Sequence, residues 1–198
     1  MTGPNLILAS TSPTRVKLLT NAGLEFQAEA ARIDETHLQR QHEKLTAEPL
    51  ALELARAKAL SLSALHGDAV IVGSDQTLEL DGSILHKAES LEAARAKLSQ
   101  LRGKTHHLHS AVACSQGGKI VFEHVSTATL TMRNFGDEFL DHYIEAAKSE
   151  ILGAVGCYYY EGRGIQLFEK VEGDYHTILG MPLLPLLAFL RQSAIVQA

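Results

Sequence analysis

Cysteine is scarce in this 198-residue chain: only Cys114 and Cys157 occur, at a separation that forms neither a metal-ligand spacing nor a disulfide framework. A reduced, cytoplasmic setting is therefore expected. Basic charge is not in excess either. A formal net charge of −5 and a pI near 6.0 exclude a surface built to coat nucleic acid, so any cations that matter must be gathered locally. Long apolar runs are missing: the tail MPLLPLLAFL is interrupted by Pro182 and Pro185 and is too short to span a bilayer. The opening MTGPN has neither the basic region nor the apolar core of a signal peptide. No internal repeat or low-complexity linker divides the chain, which leaves one sizeable core or two small lobes sharing a sheet.

What is present reads as alternating strands and helices. Apolar residues make up 45% of the chain and charged residues 21%, the balance of a globular domain. LILA (6–9) reads as a short buried strand and 13–21 as a helix, with Ser12 at its N-cap, Pro13 at N1 and Gly23 beyond its end. LEFQAEAA (24–31) is a strand candidate, and the acidic RIDETHLQ that follows reads as a loop. A long helix is expected over 48–64, with Leu50, Leu54, Ala57 and Ser61 along one side.

DAVIVGSD (68–75) has the continuous apolar run of a core strand, and Asp81-Gly82 between TLEL and SIL predicts a hairpin. A helix over 89–101 precedes two long strands joined at Gln116-Gly117-Gly118. Residues 136–147 read as helix, 164–171 and 174–179 as strands paired across Glu172-Gly173, and 182–191 as a last helix. Hairpins interrupting a β–α alternation imply an α/β chain with a mixed sheet.

Several residues ask for chemistry. The 13–21 helix opens with Arg15 and Lys17 and carries no acid in its first turn, where the helix dipole favours negative charge. Its free N–H groups and the fork of Arg15 would suit an anion. Taken alone, so short a string is more economically a solvated surface helix. Asp75 ends an apolar run and must be paired or ligated if it is buried; it could hold a divalent metal, take a proton from water, or cap the next turn. Lys58 continues the Leu50–Leu54 row at a spacing of four, so its ammonium either enters a site or snorkels outward, and snorkelling is the simpler reading. Glu35 alone is a loop acid, and Lys87 alone an exposed cation. His107 and His109 share a strand face without a nearby third ligand, which favours a polar strand face over a metal site. The run Tyr158-Tyr159-Tyr160 fits base stacking and strand packing equally.

In register, LILASTSPTR, IDE, LARAKA, IVGSDQTLELDG with Lys87, LRGKTHHLHSAV, EGRGIQLFEKVEGDY and ILGMPLLPL resemble the Maf family of nucleotide pyrophosphatases from residue 6 to about 191. The resemblance implies one domain over 1–198 with an inosine-triphosphate-pyrophosphatase-like fold: an elongated mixed β-sheet flanked by helices, with two lobes and a central cleft. It implies hydrolysis of a nucleoside triphosphate between its α and β phosphates, a divalent Mg or Mn, and a role in clearing irregular or surplus nucleotides. Many members are dimers, which extends the expectation to a homodimer. By the same resemblance Ser10, Ser12 and Arg15 bind phosphate, and Asp75, Glu35, Lys58 and Lys87 are catalytic. Glu35 and Asp75 would hold the metal, with Asp75 also the candidate to deprotonate water. Thr14 stands where the family has its first Arg, and His86 and Ala88 replace the Gly and Pro that flank the family's Lys.

Thr14, Gln76 and Glu161 fall on the positions that track base preference. Asp75-Gln76 and Glu161 resemble the 7-methyl-GTP group rather than the dTTP/UTP group. A carboxylate accepts from adjacent N1–H and N2–H of guanine, whereas thymine or uracil offers one N–H between carbonyls. Thr14 departs from the Trp of the 7-methyl-GTP group and supplies no aromatic face. A dTTP/UTP pyrophosphatase is the alternative substrate reading. A phosphatase releasing orthophosphate and a non-catalytic nucleotide-binding regulator of cell division are the alternatives of another kind.

Overall fold

A computed structural model describes residues 6–196, so the MTGPN segment lies outside the described residues. In chain order the elements are β1 (Leu6–Ala9), α1 (Pro13–Asn21), β2 (Gln27–Glu29), α2 (Glu35–Gln41), α3 (Ala47–Ser61), β3 (Val70–Leu80) and β4 (Ser83–Leu85). There follow α4 (Leu91–Leu101), β5 (Thr105–Gln116), β6 (Lys119–Met132), α5 (Asp137–Ala147), β7 (Phe168–Glu172), α6 (Tyr175–Ile178) and α7 (Leu183–Gln192). The strands form one seven-stranded mixed sheet in the order β2-β1-β3-β5-β6-β7, with β4 also paired to β3.

β3 is the spine of that sheet. One of its edges is paired antiparallel to β5 without a break from Ile71 to Glu79. The other edge is shared: β1 pairs in parallel with Val70–Val72, and β4 pairs antiparallel with Leu78–Leu80. Residues 73–77 therefore have no strand beside them on that edge. The two apolar ends of β3 also feed different cores. Val70 and Val72 pack with β1, α1 and α7, whereas Leu78 and Leu80 pack with α4, α5 and the inner residues of β5 and β6. The polar middle, Ser74 to Thr77, lies between these two lobes.

α3 covers one face of β3 with small residues. Ala51, Ala55 and Ala59 are fully buried against Ala111 and Ala113 of β5. A Cβ at Gly73 would overlap the Ala55 carbonyl oxygen and lie 2.5 Å from the Ala59 nitrogen, so helix and strand backbones touch here. The helix buries Leu50, Leu54 and Lys58 together with this alanine row, while Ala57 and Ser61 are only partly buried.

The hairpins form at Asp81-Gly82, both with positive φ (52° and 78°), and at Gly117-Gly118. Four local expectations are corrected. The core strand does not stop at Asp75 but runs to Leu80, because β5 pairs along the whole of it. The RIDETHLQ segment is not all loop: Asp34 caps α2 by accepting the His37 N–H at 2.9 Å. The 24–31 strand contracts to Gln27–Glu29, since only these residues reach β1. The pairing across Glu172-Gly173 does not exist; β7 pairs with β6, and Asp174 caps α6 by accepting the Thr177 N–H at 2.8 Å. Among the described residues no helix is long and apolar enough to cross a membrane.

Gly73→Ala should force α3 away from β3. Chemical denaturation is expected to show a loss of about 2 kcal/mol or more, since backbone atoms on both sides cannot yield as a flexible side chain would; an unchanged midpoint would contradict the backbone contact.

Candidate active site

A cavity of about 1000 Å³ opens where β3 lacks an edge partner. Successive side chains of a strand point to opposite faces. At a continuous sheet Asp75 and Gln76 would serve separate surfaces, but at this gap both line one cavity. The chain leaving β1 brings Ser10–Arg15 to one side of the gap, and the chain leaving β4 brings His86–Glu89 to the other.

At the α1 end, the Ser10 Oγ accepts the Ser12 N–H at 3.1 Å, while the Ser12 side chain makes no capping bond. Pro13 occupies the first turn and no acid is present, so the positive helix end is open to the cavity. Arg15 is tied by Nε to the Gly180 carbonyl at 3.1 Å. Burial lowers its pKa, against the raising influence of Asp75 and Glu35. Gly180 also accepts from the Ser74 Oγ at 2.9 Å, which joins α1, β3 and the turn after α6 at one carbonyl.

Lys58 does not snorkel. It is 5% exposed, and its Nζ lies 2.5 Å from the Asp75 Oδ1 and 3.0 Å from the Glu35 Oε1. Its direction is set by Asp75: a buried carboxylate on the facing strand is a better partner for the ammonium than a surface that α3 has turned away. Glu35, at the first position of α2, is half-exposed. Burial pushes its pKa up, but Lys58, Lys87 and Arg15 together hold it below the ordinary carboxylate value. Lys87 is exposed at the cavity wall. Three cations and two carboxylates thus meet at this end of the cavity.

The two carboxylates suit a hard divalent cation, because Mg or Mn is commonly held by one or two carboxylates with substrate phosphates and water completing the shell. Each uses one oxygen on Lys58; among the described residues the Asp75 Oδ2 and the Glu35 Oε2 have no hydrogen-bond or ion-pair partner. No group of three or more His, Cys, Asp or Glu that could hold a metal occurs among the described residues, so the chain alone would complete no shell.

Thr14, Gln76 and Glu161 line the same cavity with Tyr158, Tyr159 and Tyr160. The Gln76 amide nitrogen donates to the Ser110 Oγ at 2.9 Å and is 3.1 Å from both the Thr177 and the Ile178 carbonyl oxygens. These acceptors assign the amide, and its Oε1 has no described hydrogen-bond partner. The tyrosines belong to a loop, not a strand. Tyr158 is buried and hydrogen-bonded to His106 Nε2 at 2.7 Å, and Tyr160 packs edge-on against Phe168. On the face His107 and His109 share, their Nδ1 atoms meet Thr129 at 3.1 Å and Thr127 at 2.9 Å.

Ser10, Ser12, Thr14, Arg15, Glu35, Lys58, Asp75, Gln76, Lys87 and Glu161 all line the cavity, whereas His107 and His109 do not. Ser110, Thr177 and Gly180 were missed as supports. Ser110 is the cross-strand partner of Gln76, a signal that appears only once the register is known.

In the metal-free protein, Lys58→Met should raise the Glu35 carboxyl pKa, as read by carbon-13 NMR titration, because the largest opposing charge is gone. It should also lower stability by about 3 kcal/mol by leaving Asp75 buried without its cation. An unmoved Glu35 titration would rule out the ion triad.

The model of the family described as "Maf-like protein" matches residues 5–193. A 7-methyl-GTP pyrophosphatase of Rhizobium johnstonii is 49% identical over 191 residues, covering 96% of each chain. A nucleoside triphosphate pyrophosphatase of Granulibacter bethesdensis is 46% identical, covering 94% of this chain and 96% of the relative. A 7-methyl-GTP pyrophosphatase of Brucella abortus biovar 1 is 48% identical, covering 94% and 95%. With the open end of α1, the Lys58–Asp75 pair and Lys87 meeting in one cavity, and with these matches over nearly its whole length, the chain belongs to the Maf-like protein family.

Proposed function

We propose that the chain is a nucleoside triphosphate pyrophosphatase, acting in the cytoplasm, that cleaves the α–β anhydride to a nucleoside monophosphate and pyrophosphate. The observation that carries this reading is the Lys58 bridge between Asp75 and Glu35, set among Arg15, Lys87 and the open end of α1. A triphosphate supplies the negative charge this end of the cavity is built to receive.

Arg15, Lys87 and the α1 N–H groups hold and orient the phosphate chain, and they stabilise the charge that grows on pyrophosphate as the bond breaks. Lys58 fixes the Asp75 rotamer through Oδ1. Asp75 then accepts the proton of the water whose oxygen bonds to phosphorus as the P–O bond to pyrophosphate is lost. A Mg or Mn ion bound by Glu35 and Asp75 would supply charge neutralisation and polarisation of the phosphate.

The base end favours a guanine-type purine. The Gln76 amide spends its N–H groups on Ser110 and the α6 carbonyls, so only its acceptor is left for a ligand. Glu161 is acceptor-only. Two acceptors match the adjacent N–H donors of guanine and oppose the carbonyls that flank the single N–H of uracil or thymine. Thr14 provides no aromatic face, but Tyr159 and Tyr160 line the same cavity, and a 7-methylated base, being cationic, is well served by tyrosine rings and a carboxylate. Two of the relatives are named for 7-methyl-GTP.

The decisive experiment incubates the protein with Mg or Mn and 7-methyl-GTP, GTP, UTP and dTTP, and identifies the products. Monophosphate with pyrophosphate, fastest from 7-methyl-GTP, is expected. Diphosphate with orthophosphate would instead mark a phosphatase, and binding without turnover a regulator. Asp75→Asn should abolish turnover while nucleotide binding stays measurable, and wild-type rates in that variant would sink the assignment. Glu161→Gln should reduce the ratio of kcat/KM for 7-methyl-GTP over UTP by roughly tenfold or more.

A further inference from the structure

Lys97 sits in the middle of α4 and does not line the cavity, yet it joins two segments that do. Its Nζ donates to the Val155 carbonyl at 3.0 Å and to the His86 carbonyl. His86 immediately precedes Lys87, and Val155 lies in the stretch that leads into Tyr158–Glu161. Neither segment is held by regular secondary structure at these points: 86–88 follow the end of β4, and 154–158 run from a 3-10 turn into a loop.

The ammonium is half-buried and forms no ion pair with a carboxylate among the described residues; burial lowers its pKa. Setting a charge there is unfavourable unless its donors are used, and two backbone carbonyls use them. A second tie runs beside the first. Ala88 and Cys157 are both buried in one core, and burial raises the Cys157 thiol pKa against the lowering influence of Lys97 and the Ala88 N–H.

We propose that Lys97 is a positioning residue: by bonding the His86 and Val155 carbonyls together it sets where Lys87 stands over the phosphate end, relative to the Tyr158–Glu161 wall at the base end. The ligand contacts made by Lys87 and by the loop are then coupled through a residue that touches neither phosphate nor base. This rests on the pyrophosphatase reading for what Lys87 does, but the clamp itself exists without substrate.

The test pairs a substrate-free measurement with kinetics, using Lys97→Met, Lys97→Arg, Lys87→Ala and the Lys87→Ala/Lys97→Met double variant. In the ligand-free protein, Lys97→Met should lose amide-exchange protection at 86–89 and 154–158 together, with α3 and β3 unchanged. Lys97→Arg, which keeps donors at that position, should restore it. In turnover, Lys97→Met should cut kcat/KM by roughly tenfold, and the double variant should fall by less than the product of the two single losses. Unchanged protection at either segment, or losses that multiply in the double variant, would overturn the proposal. If the wild-type protein turns over no triphosphate, the pyrophosphatase reading fails, while the exchange result still decides the clamp.

Discussion

The break in pairing along the outer edge of β3 is the constraint on which the rest of the structure depends. A sheet with no gap would bury the backbone of 73–77 in a ladder and send Asp75 and Gln76 to surfaces that never meet. Here β1 stops pairing at Val72 and β4 starts at Leu78. At this interval side chains from both faces of one strand, Asp75 and Gln76, line the same cavity. The strand survives the loss of one partner because β5 holds its other edge throughout and because each polar side chain in the interval is anchored. Ser74 donates to backbone carbonyls, Thr77 donates to the Ala47 carbonyl at 2.8 Å, and Asp75 is held by Lys58.

The gap alone would not make a reactive site without the close approach of α3. With glycine at 73 and alanines at 55 and 59, the helix backbone lies on the strand. That distance lets a lysine one turn along reach the Asp75 carboxylate with its stem buried rather than stretched. Larger residues in this row would lift the helix and strand the charge. The resulting triad of Lys58, Asp75 and Glu35 offsets the cost of burying charge internally. Arg15, Lys17, Lys58 and Lys87 balance Glu35, Asp75, Glu89 and Glu161 around the cavity, so cations are gathered there although the chain's net charge is −5.

Local chemistry made much of this legible in the sequence. The opened α1 terminus follows from Ser12, Pro13 and the missing first-turn acid, and Asp75 stood out as a charge ending an apolar run. The direction of Lys58 was not legible, because it is decided by a carboxylate on another element; from α3 alone, a buried ammonium and a snorkelling one look the same. The continuation of β3 past Asp75 is likewise set by β5, not by its own residues. α2 escaped notice because it buries no residue and so shows no apolar stripe. The supposed second strand after Gly173 failed for a different reason: Asp174 is a helix cap, and its side chain prevails over the alternation that Tyr175–Leu179 suggests.

The segment around Lys87 is a case where tertiary contact replaces local stiffness. The family pattern surrounds that lysine with Gly and Pro, and a proline fixes φ without needing a partner. Ala88 fixes nothing by itself and retains an N–H that proline would lack. In this chain the segment is shaped from outside: Ala88 is buried in the core of the second lobe together with Cys157, and the His86 carbonyl is taken by Lys97. A loop held by contacts from α4 and from 154–158 keeps its position only while those elements keep theirs. The placement of the Lys87 charge therefore depends on the packing of the α4 lobe, whereas that of Lys58 depends on the α3–β3 contact. Two of the cations that line the cavity, Lys58 and Lys87, are thus held by different parts of the fold.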